Sequence, residues 1–447
     1  GIGRAIEAQQ PDRLEEPYEL LAYHYGRSGN SDKAVKYMSL ANQKADKLNA
    51  MEEAKSYFDE TMELLDNLPK TEENRRRRIS LLLNQGFVFF MLIKSPEYYD
   101  LLVRYEPTAR GLGNKGLLGA FYARMGQCEW LVGHFDQGVQ TLTKAAQLSK
   151  AAGSLEDLVY ANLFLLGSHY DLSNYDQVFT LKEESLCILE QKFDPRLYVF
   201  TLSLTSRAHA SVGRWNEAAE TGKKALRVAE EYSDNSLINF AAWNLSITYG
   251  WEVDTVQAIE YGELAIEKAQ EKADIAWAQR SLGWALCRAG EHKRGIELLV
   301  NVLPSFRTGK LMSSETDLLC FLGEGYWLAG DESNAKQTLE EGLVVANRCG
   351  ARYYIGFANR LLGEISMRNE PLQAATHFER SIAILEEIKA KNELALAYRS
   401  YGLVLKQKHQ IAEARGYLSK ALEIFERLGT LLEAEKVRNE LTGLPEA

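Results

Sequence analysis

The sequence has few of the residues that indicate a disulfide-stabilised or membrane-embedded protein. Its 447 residues include five cysteines, which never form a C-x-x-C pair, and nine prolines. Scattered cysteines, odd in number, are typical of a reducing compartment, so we expect a cytoplasmic protein. The longest apolar run, residues 87–93, is far shorter than the roughly 20 residues that span a bilayer, which argues against a membrane partner.

Signals of catalysis, metal binding and strand structure are also missing. None of the seven histidines stands four residues from another, and no G-x-S-x-G or G-x-x-x-x-G-K-[ST] motif occurs. We therefore predict no catalytic residue, no metal and no cofactor, with an active site assembled from distant residues as an alternative. Sustained period-2 alternation is absent, whereas apolar residues recur at helical spacing, as in Leu318, Leu322 and Tyr326.

Two local patterns and the net charge have simple explanations that do not involve ligands. Residues 111–116 match the G-x-G-x-x-G spacing, but a helical stretch rather than a strand precedes them, so we interpret them as an inter-helix turn. Residues 75–78 are four consecutive arginines preceded by two glutamates, which we interpret as a solvated helix face. The formal net charge of −10 argues against a nucleic-acid partner.

A pattern with a period of about forty residues covers most of the chain. A small residue within a helical stretch is followed about seven residues later by a turn, and then by alanine or another small residue. Successive examples of the first small residue, which we call the anchor, lie 37 to 41 residues apart. Such a repeat predicts helical hairpins that stack into a solenoid. The anchors are Gly86, Gly126, Gly167, Ser206, Ser246, Gly283, Gly323, Gly363 and Gly402.

The residues of one unit resemble the tetratricopeptide repeat. That repeat carries L-G-x-x-Y on its first helix, then glycine, then A-x-x-x-F-x-x-A on its second helix. The resemblance covers about residues 86–428 and implies an all-α, right-handed superhelical solenoid of about 10–11 helix–turn–helix units. In the unit around Ser246 the corresponding residues are Leu245, Ser246 and Tyr249, followed by Ala258, Gly262 and Ala265.

The start of the chain also fits the repeat. Its first 70 residues have the pattern of three helices, roughly 14–28, 32–48 and 50–67. We predict that residues 1–70 form the helical entry and the first units, and that residues 71–447 continue them as one elongated domain. Because the sequence begins at Gly1 without methionine, we expect a piece of a longer protein.

Tryptophan and arginine mark a candidate binding groove. First helices line the inside of a tetratricopeptide superhelix, and six of the seven tryptophans fall on predicted first helices. Tryptophan and arginine are enriched at binding hot spots, and arginine can stack on an indole while it pairs with a carboxylate. The alternative is that these side chains pack between neighbouring helices. The predicted groove is centred on Trp243, Trp277, Arg280, Trp284 and Trp327 and extends to Phe240, Arg360, Glu364 and Arg399.

Three segments near the start, residues 17–30, 33–38 and 49–58, have a second resemblance. They are similar to the region that follows the ATPase module in large bacterial signalling ATPases. These include class III adenylate/guanylate cyclases with an ATPase and a tetratricopeptide tail, and transcription factors of the maltose-regulator type. The resemblance covers roughly residues 10–130 and implies a bacterial sensor tail, with catalysis in a part of the protein outside this chain.

Together these patterns favour a regulatory scaffold. Such a scaffold would bind a protein or peptide partner, or a small effector, in its concave groove and so bias an attached module. Self-assembly into a homo-oligomer, with the groove filled by a second copy or by the chain's own terminus, is an alternative. An enzyme with a non-local active site is another.

Overall fold

The computed structural model describes residues 2–9, 17–367 and 370–445, and every regular element within them is an α-helix. The predicted all-α class is thus confirmed, while residues 14–16 of the first predicted helix lie outside the described residues. Across these ranges, no helix combines the length and the apolar character needed to cross a bilayer. The helices are α1 Ile2–Gln9, α2 Tyr18–Arg27, α3 Ser31–Lys47, α4 Met51–Asp66, α5 Glu72–Leu83, α6 Gly86–Met91, α7 Ser95–Gly111, α8 Lys115–Leu131, α9 Phe135–Ala152, α10 Leu155–Asp171, α11 Tyr175–Leu189, α12 Pro195–Ser211, α13 Trp215–Glu231, α14 Asn235–Glu252, α15 Thr255–Lys268, α16 Lys272–Arg288, α17 His292–Thr308, α18 Met312–Leu328, α19 Glu332–Cys349, α20 Arg352–Ser366, α21 Pro371–Glu387, α22 Lys391–Gln407, α23 Ile411–Leu428 and α24 Leu431–Thr442.

Successive helices pack as hairpins, as the repeat predicts. The pairs α12 with α13, α14 with α15, and α18 with α19 are examples. First helices of neighbouring hairpins also contact each other, as α12 does with α14 and α18 with α20. A first helix therefore packs both on its own partner and on the next hairpin, which is the arrangement of a tetratricopeptide-like solenoid.

The chain divides into two compact units. Unit 1 comprises residues 1–129, 140–161 and 271–273, and unit 2 comprises residues 130–139, 162–270 and 274–447. The predicted continuity of residues 1–70 with 71–447 as one elongated domain stays a prediction.

In unit 1, the hairpin of α2 and α3 carries the repeat pattern at the start of the chain. Tyr25 is buried, and Gly29 adopts a φ of 73° in the turn between the two helices. The rings of Tyr25 and Tyr37 stack with 5.7 Å between their centroids. The carboxylate of Glu7 on α1 accepts hydrogen bonds from Tyr25 at 2.8 Å and from Lys33 at 2.6 Å. These bonds fasten α1 to the first hairpin.

The nine anchors are all buried, and five of the seven glycine anchors let the two helices of a hairpin approach closely. A Cβ atom at Gly323 would stand 2.5 Å from Cγ of Leu339, and one at Gly402 would stand 2.9 Å from Cγ of Leu418. A bulky side chain on the second helix therefore occupies the space that glycine leaves on the first. The same pairing joins Gly126 with Leu142, Gly283 with Leu299, and Gly363 with Phe378.

Serine replaces glycine as the anchor in two units and binds the second helix by a hydrogen bond. Oγ of Ser206 donates to the carbonyl of Ala218, and Oγ of Ser246 donates to that of Ala258, both at 2.7 Å. The position sixteen residues after the anchor holds leucine in the units of Gly126, Gly283, Gly323 and Gly402, whereas it is glycine in both of these units. The larger anchor thus faces a smaller partner, which keeps the helices close.

Eight of the predicted turns contain a residue with a left-handed backbone conformation six or seven residues after the anchor, while the turn after Gly363 includes residues 368–369, which lie outside the described residues. This conformation reverses the chain after a helix, and glycine adopts it at the lowest cost. The residues with positive φ at these turns are Ile93, Gly133, Ser173, Gly213, Val253, Gly290, Gly330 and His409.

Candidate functional site

The structure places the predicted groove residues on first helices of unit 2, where most of them are buried. Only 3% of Trp243, 4% of Trp277, 1% of Arg280 and none of Trp284 is exposed. These values describe a closed interior rather than an open groove, and the binding role of these residues stays a prediction. Phe240 and Arg360 are buried as well, whereas Trp327, Glu364 and Arg399 are partly exposed.

Aromatic rings from successive first helices stack in this interior. The indoles of Trp243 and Trp277 are nearly parallel, with 6.3 Å between their centroids, and Phe240 packs edge-on against Trp243 at 5.1 Å. Trp284 stacks on Phe321 of the next first helix at 4.2 Å. Packing between neighbouring helices, the alternative considered for these side chains, therefore describes their contacts.

Two buried arginines share one buried aspartate in the middle of this interior. Nη1 of Arg280 donates to Asp317 at 3.0 Å, and Nη2 of Arg207 lies 3.5 Å from the other carboxylate oxygen. The ring of Trp243 lies 4.9 Å from the guanidinium of Arg280 and 5.6 Å from that of Arg207. Burial shifts the pair towards neutrality, because it raises the pKa of Asp317 and lowers that of Arg280. We use the name arginine cluster for Arg207, Arg280, Asp317, Asp171 and Tyr354, because Asp171 and Tyr354 each interact electrostatically with the other three.

Polar contacts within unit 2 join hairpins that are far apart in the sequence. Arg207 on α12 reaches Asp317 on α18. The backbone N–H of Tyr353 donates to Oγ of Ser173 at 3.2 Å across 180 residues. The side chain of Asn392 donates to the carbonyl of Trp251 at 3.3 Å across 141 residues. The early hairpins of unit 2 are thus tied to its late ones by hydrogen bonds and ion pairs.

A second group of charges, which we call the Glu324 network, consists of Trp284, Arg288, Glu324, Arg360 and Glu393. Glu324 accepts from the indole N–H of Trp284 at 2.6 Å and from Arg288 at 2.9 Å. Arg360 lies 3.9 Å from Glu324 and forms an ion pair with Glu393. Burial alone would raise the pKa of Glu324, but the guanidinium groups of Arg288 and Arg360 outweigh it and lower that pKa.

The buried carboxylates of this network face guanidinium groups rather than one another. Glu324 contacts Arg288, and Glu393 contacts Arg360, although burial still raises the pKa of Glu393. Such pairing holds charges in place and does not resemble two carboxylates that share a proton. Within the described ranges, no group of three or more His, Cys, Asp or Glu residues is arranged to hold a metal ion.

The partly exposed groove residues are also paired within the chain. Glu364 accepts from the indole N–H of Trp327 at 3.2 Å and from Nη1 of Arg360 at 2.8 Å. Nε of Arg399 donates to Glu440 on the last helix at 3.0 Å, and the charge of Glu364 also raises the pKa of Arg399. The structure thus brings Trp327, Arg360 and Glu364 into hydrogen-bond contact and pairs Arg399 with glutamates of the last helix.

Sequence reasoning missed the acidic partners of the predicted residues and two further arginines. The signal that could have found the partners is a spacing of one repeat. Arg280 and Asp317 are 37 residues apart, as are Trp327 and Glu364. An arginine or tryptophan followed one repeat later by a carboxylate forms a contact between adjacent first helices. The missed residues are Arg207, Arg288, Asp317, Glu324, Glu393 and Glu440.

A polar cleft of about 400 Å³ lies where the turns α10–α11, α12–α13 and α21–α22 of unit 2 meet. On its wall, Lys389 pairs with Asp176 at 3.7 Å, and the guanidinium of Arg214 lies 5.1 Å from the ring centroid of Phe179. Charges of both signs are present and compensate one another. The cleft shares no residue with the arginine cluster or the Glu324 network.

We expect Asp171 to make the stability of unit 2 depend on pH. Burial raises the pKa of Asp171 to about 7, against the partial compensation of Arg207 and of the indole N–H of Trp130, which donates to Asp171 at 2.7 Å. Because the unfolded carboxyl has a pKa near 3.8, its contribution to stability is complete below about pH 4 and is lost as the pH rises through about 7. Asparagine does not titrate, so Asp171→Asn should not show this loss of stability. Above about pH 7 the variant should therefore have a higher urea midpoint than the parent chain, and the difference between the two midpoints should become smaller towards about pH 5.

The matched control for this pH series is the exposed Asp176, which lies on α11. Asp176→Asn should reproduce the urea midpoints of the parent chain at each pH. A profile of Asp171→Asn parallel to that of the parent would show that Asp171 does not titrate with folding in this range.

Comparison with known proteins supplies no family for this chain. No protein-family model matches it, and no curated protein matches it. Among solved structures, it is similar to the Rap protein complexed with competence and sporulation factor, with 14% identity, 89% of this chain and 99% of that chain covered, and a TM-score of 0.49. It is also similar to the APC/C hetero-tetramer Cut9-Hcn1, with 12% identity, 98% of each chain covered and a TM-score of 0.44. Likenesses of this size say nothing of what this chain binds.

Proposed function

We propose that this chain is a regulatory scaffold whose unit 2 captures an effector, a protein segment or a small molecule, in the interior lined by its first helices. The observation that carries the proposal is that polar side chains join hairpins far apart in the sequence, as Arg207 and Asp317 do. A buried ion pair is seldom more stabilising than apolar side chains of the same volume. A charged interior at this place therefore favours a role in binding or switching over a role in stability alone.

Capture would act by shifting unit 2 between a closed and an open arrangement. In the closed arrangement Ser173 bonds Tyr353, and Asn392 bonds Trp251. An effector that takes over such partners stabilises the arrangement in which the early and late hairpins are separated. The equilibrium between the two arrangements can shift only by as much free energy as the effector gains by binding one arrangement more tightly than the other.

The module that receives this signal is proposed to be the ATPase or nucleotide cyclase of a larger bacterial, cytoplasmic signalling protein. The similarity of residues 17–30, 33–38 and 49–58 to the tails of such proteins supports this assignment. In this scheme the present chain is the sensor tail that supplies binding, and catalysis belongs to the attached module.

The test is selection of binders followed by tryptophan replacement. A displayed library of random short peptides and a panel of small organic acids are screened, and binders are titrated by tryptophan fluorescence. We expect Trp277→Phe and Trp284→Phe to weaken binding by about tenfold, because these indoles lie in the interior. Trp215→Phe is the matched control, since Trp215 is the one tryptophan on a second helix, α13.

Two further measurements complete this test. Far-UV circular dichroism checks that each variant is folded. Light scattering across a range of protein concentrations separates effector capture from self-assembly. Equal affinities of the parent chain, Trp277→Phe and Trp284→Phe for every selected binder would show that the interior of unit 2 is not the capture site.

A further inference from the structure

We propose that the arginine cluster is a binding site for the carboxylate of a small organic acid, which unit 2 encloses. This inference rests on the proposed capture function and names the chemistry of the effector. It follows from the hydrogen-bonding groups that the cluster leaves without partners, from its charges and from its burial.

The cluster contains more hydrogen-bond donors than acceptors. Nε and Nη2 of Arg280, Nε of Arg207 and the hydroxyl of Tyr354 are buried and have no hydrogen-bond partner. Both oxygens of Asp317 are already engaged, one by Arg280 and the other by Arg207. Guanidinium N–H groups only donate, so their missing partner is an acceptor. A carboxylate, with two acceptor oxygens, is the group that two converging guanidinium groups bind best.

The charges of the cluster also favour an anion. Arg207 and Arg280 carry two positive charges, and the carboxylate of Asp317 offsets one of them. The second carboxyl, Asp171, is near its midpoint at neutral pH, because burial raises its pKa to about 7. A bound carboxylate would therefore compensate the second guanidinium, and its affinity should rise as Asp171 is protonated. The other titratable or charged groups that act on Asp171 are Arg207, Arg280, Asp317, Tyr175 and Cys349.

Burial argues for a small ligand rather than a peptide segment. Arg280 is 1% exposed, Tyr354 is 3% exposed and Arg207 is 6% exposed. Asp171 is the member of the cluster with a partly exposed surface, and so marks the side on which the cluster meets solvent. The rings of Trp243 and Phe306 lie within 6.0 Å of the guanidinium of Arg280. They provide apolar surface for the carbon part of the acid.

The Glu324 network shows the opposite balance and serves as an internal comparison. Nε and Nη2 of Arg288 donate to Glu324, and Nη1 of Arg288 donates to the carbonyl of Gly250. The buried atom left without a partner there is Oε2 of Glu393, which is an acceptor. An anion does not bind to an acceptor oxygen, so the site is assigned to the arginine cluster rather than to this network.

The test is calorimetric titration of the full chain with short aliphatic, aromatic and dicarboxylic acids, each beside its primary amide. We expect at least one acid to bind about tenfold or more tightly than its amide, because the amide lacks the charge that the guanidinium groups require. Binding should be tighter at about pH 6 than at about pH 8. A peptide of aspartate and glutamate is titrated in parallel, to test whether the bound carboxylate belongs to a protein segment instead of a small acid.

Two substitutions locate the site. Tyr354→Phe removes only a hydroxyl that has no partner, so the variant should fold normally and bind the acid about tenfold more weakly. Arg280→Lys keeps the charge and removes the planar fork, and should weaken binding at least as much. Tyr326→Phe, on the first helix α18, is the matched control and should bind the acid as the parent chain does.

Each contrary outcome has a separate meaning. Equal affinity of the parent chain, Tyr354→Phe and Arg280→Lys for an acid would remove the arginine cluster as its site. If none of the acids binds, while peptides selected from the library still bind and their binding depends on Trp277, this inference is overturned and the proposed function stands. Binding of the acidic peptide alone, dependent on Tyr354, would make the ligand a protein segment and overturn the small-acid inference.

Discussion

Replacing Asp317 with asparagine is expected to lower the free energy of unfolding of unit 2 by about 3–5 kcal/mol. Asparagine has nearly the same shape and removes only the charge. Arg280 and Arg207, both buried, would lose the carboxylate that they share. A guanidinium group stays charged at any pH at which the protein is folded, so an uncompensated charge would remain in the interior.

Urea unfolding followed by far-UV circular dichroism measures this effect. Glu291→Gln is the control, because it also neutralises a carboxylate in an ion pair, with Arg294, but both side chains are more than half exposed. A surface ion pair of this kind contributes about 0–1 kcal/mol, so the control should unfold almost as the parent does. Similar midpoints for the two variants would show that the arginine cluster does not depend on Asp317.

The second large effect is expected at a glycine anchor. Gly323→Ala should lower the free energy of unfolding by about 1–3 kcal/mol, because the new methyl group has no room between the two helices. A Cβ atom there would stand 2.5 Å from Cγ of Leu339, far inside van der Waals contact. The same change should be partly compensated in the double variant Gly323→Ala with Leu339→Ala, in which the opposing side chain is shortened.

Gly416 provides the matched control for this substitution. It lies on helix α23, is exposed, and a Cβ atom built there would meet nothing within 4 Å. Alanine is favoured over glycine in a helix, so Gly416→Ala should raise the free energy of unfolding by about 0.5–1 kcal/mol. The two changes are chemically identical and opposite in expected sign. Stabilisation by Gly323→Ala would contradict the close approach of α18 and α19.

The two predictions probe different kinds of contact. The anchor of a hairpin joins two helices that follow each other in the chain, as Gly323 and Leu339 do. The arginine cluster joins α12 to α16 and α18, which belong to later hairpins of unit 2. Loss of the first kind of contact weakens one hairpin. Loss of the second kind weakens the closed arrangement of unit 2, on which the proposed capture of an effector depends.

Much of the fold could be predicted because its determinants are local in the sequence. The anchors at Gly323 and Gly402 face bulky residues sixteen positions later, within the same hairpin. The turns that follow, at Gly330 and His409, have the left-handed conformations that the repeat requires. Steric constraints of this kind recur at five of the nine anchors, so the pattern that they leave in the sequence is strong.

The sequence by itself determined the helical hairpins, their period and the placement of tryptophan and arginine on first helices, because these depend on contacts within one repeat. Only the tertiary structure decided that Trp277, Trp284 and Arg280 lie in a closed interior. Their exposure depends on partners one repeat away, such as Asp317, and on hairpins still further along, such as that of Arg207. A periodic pattern specifies which residues share a face of a helix, but the curvature of the stacked hairpins specifies what that face meets.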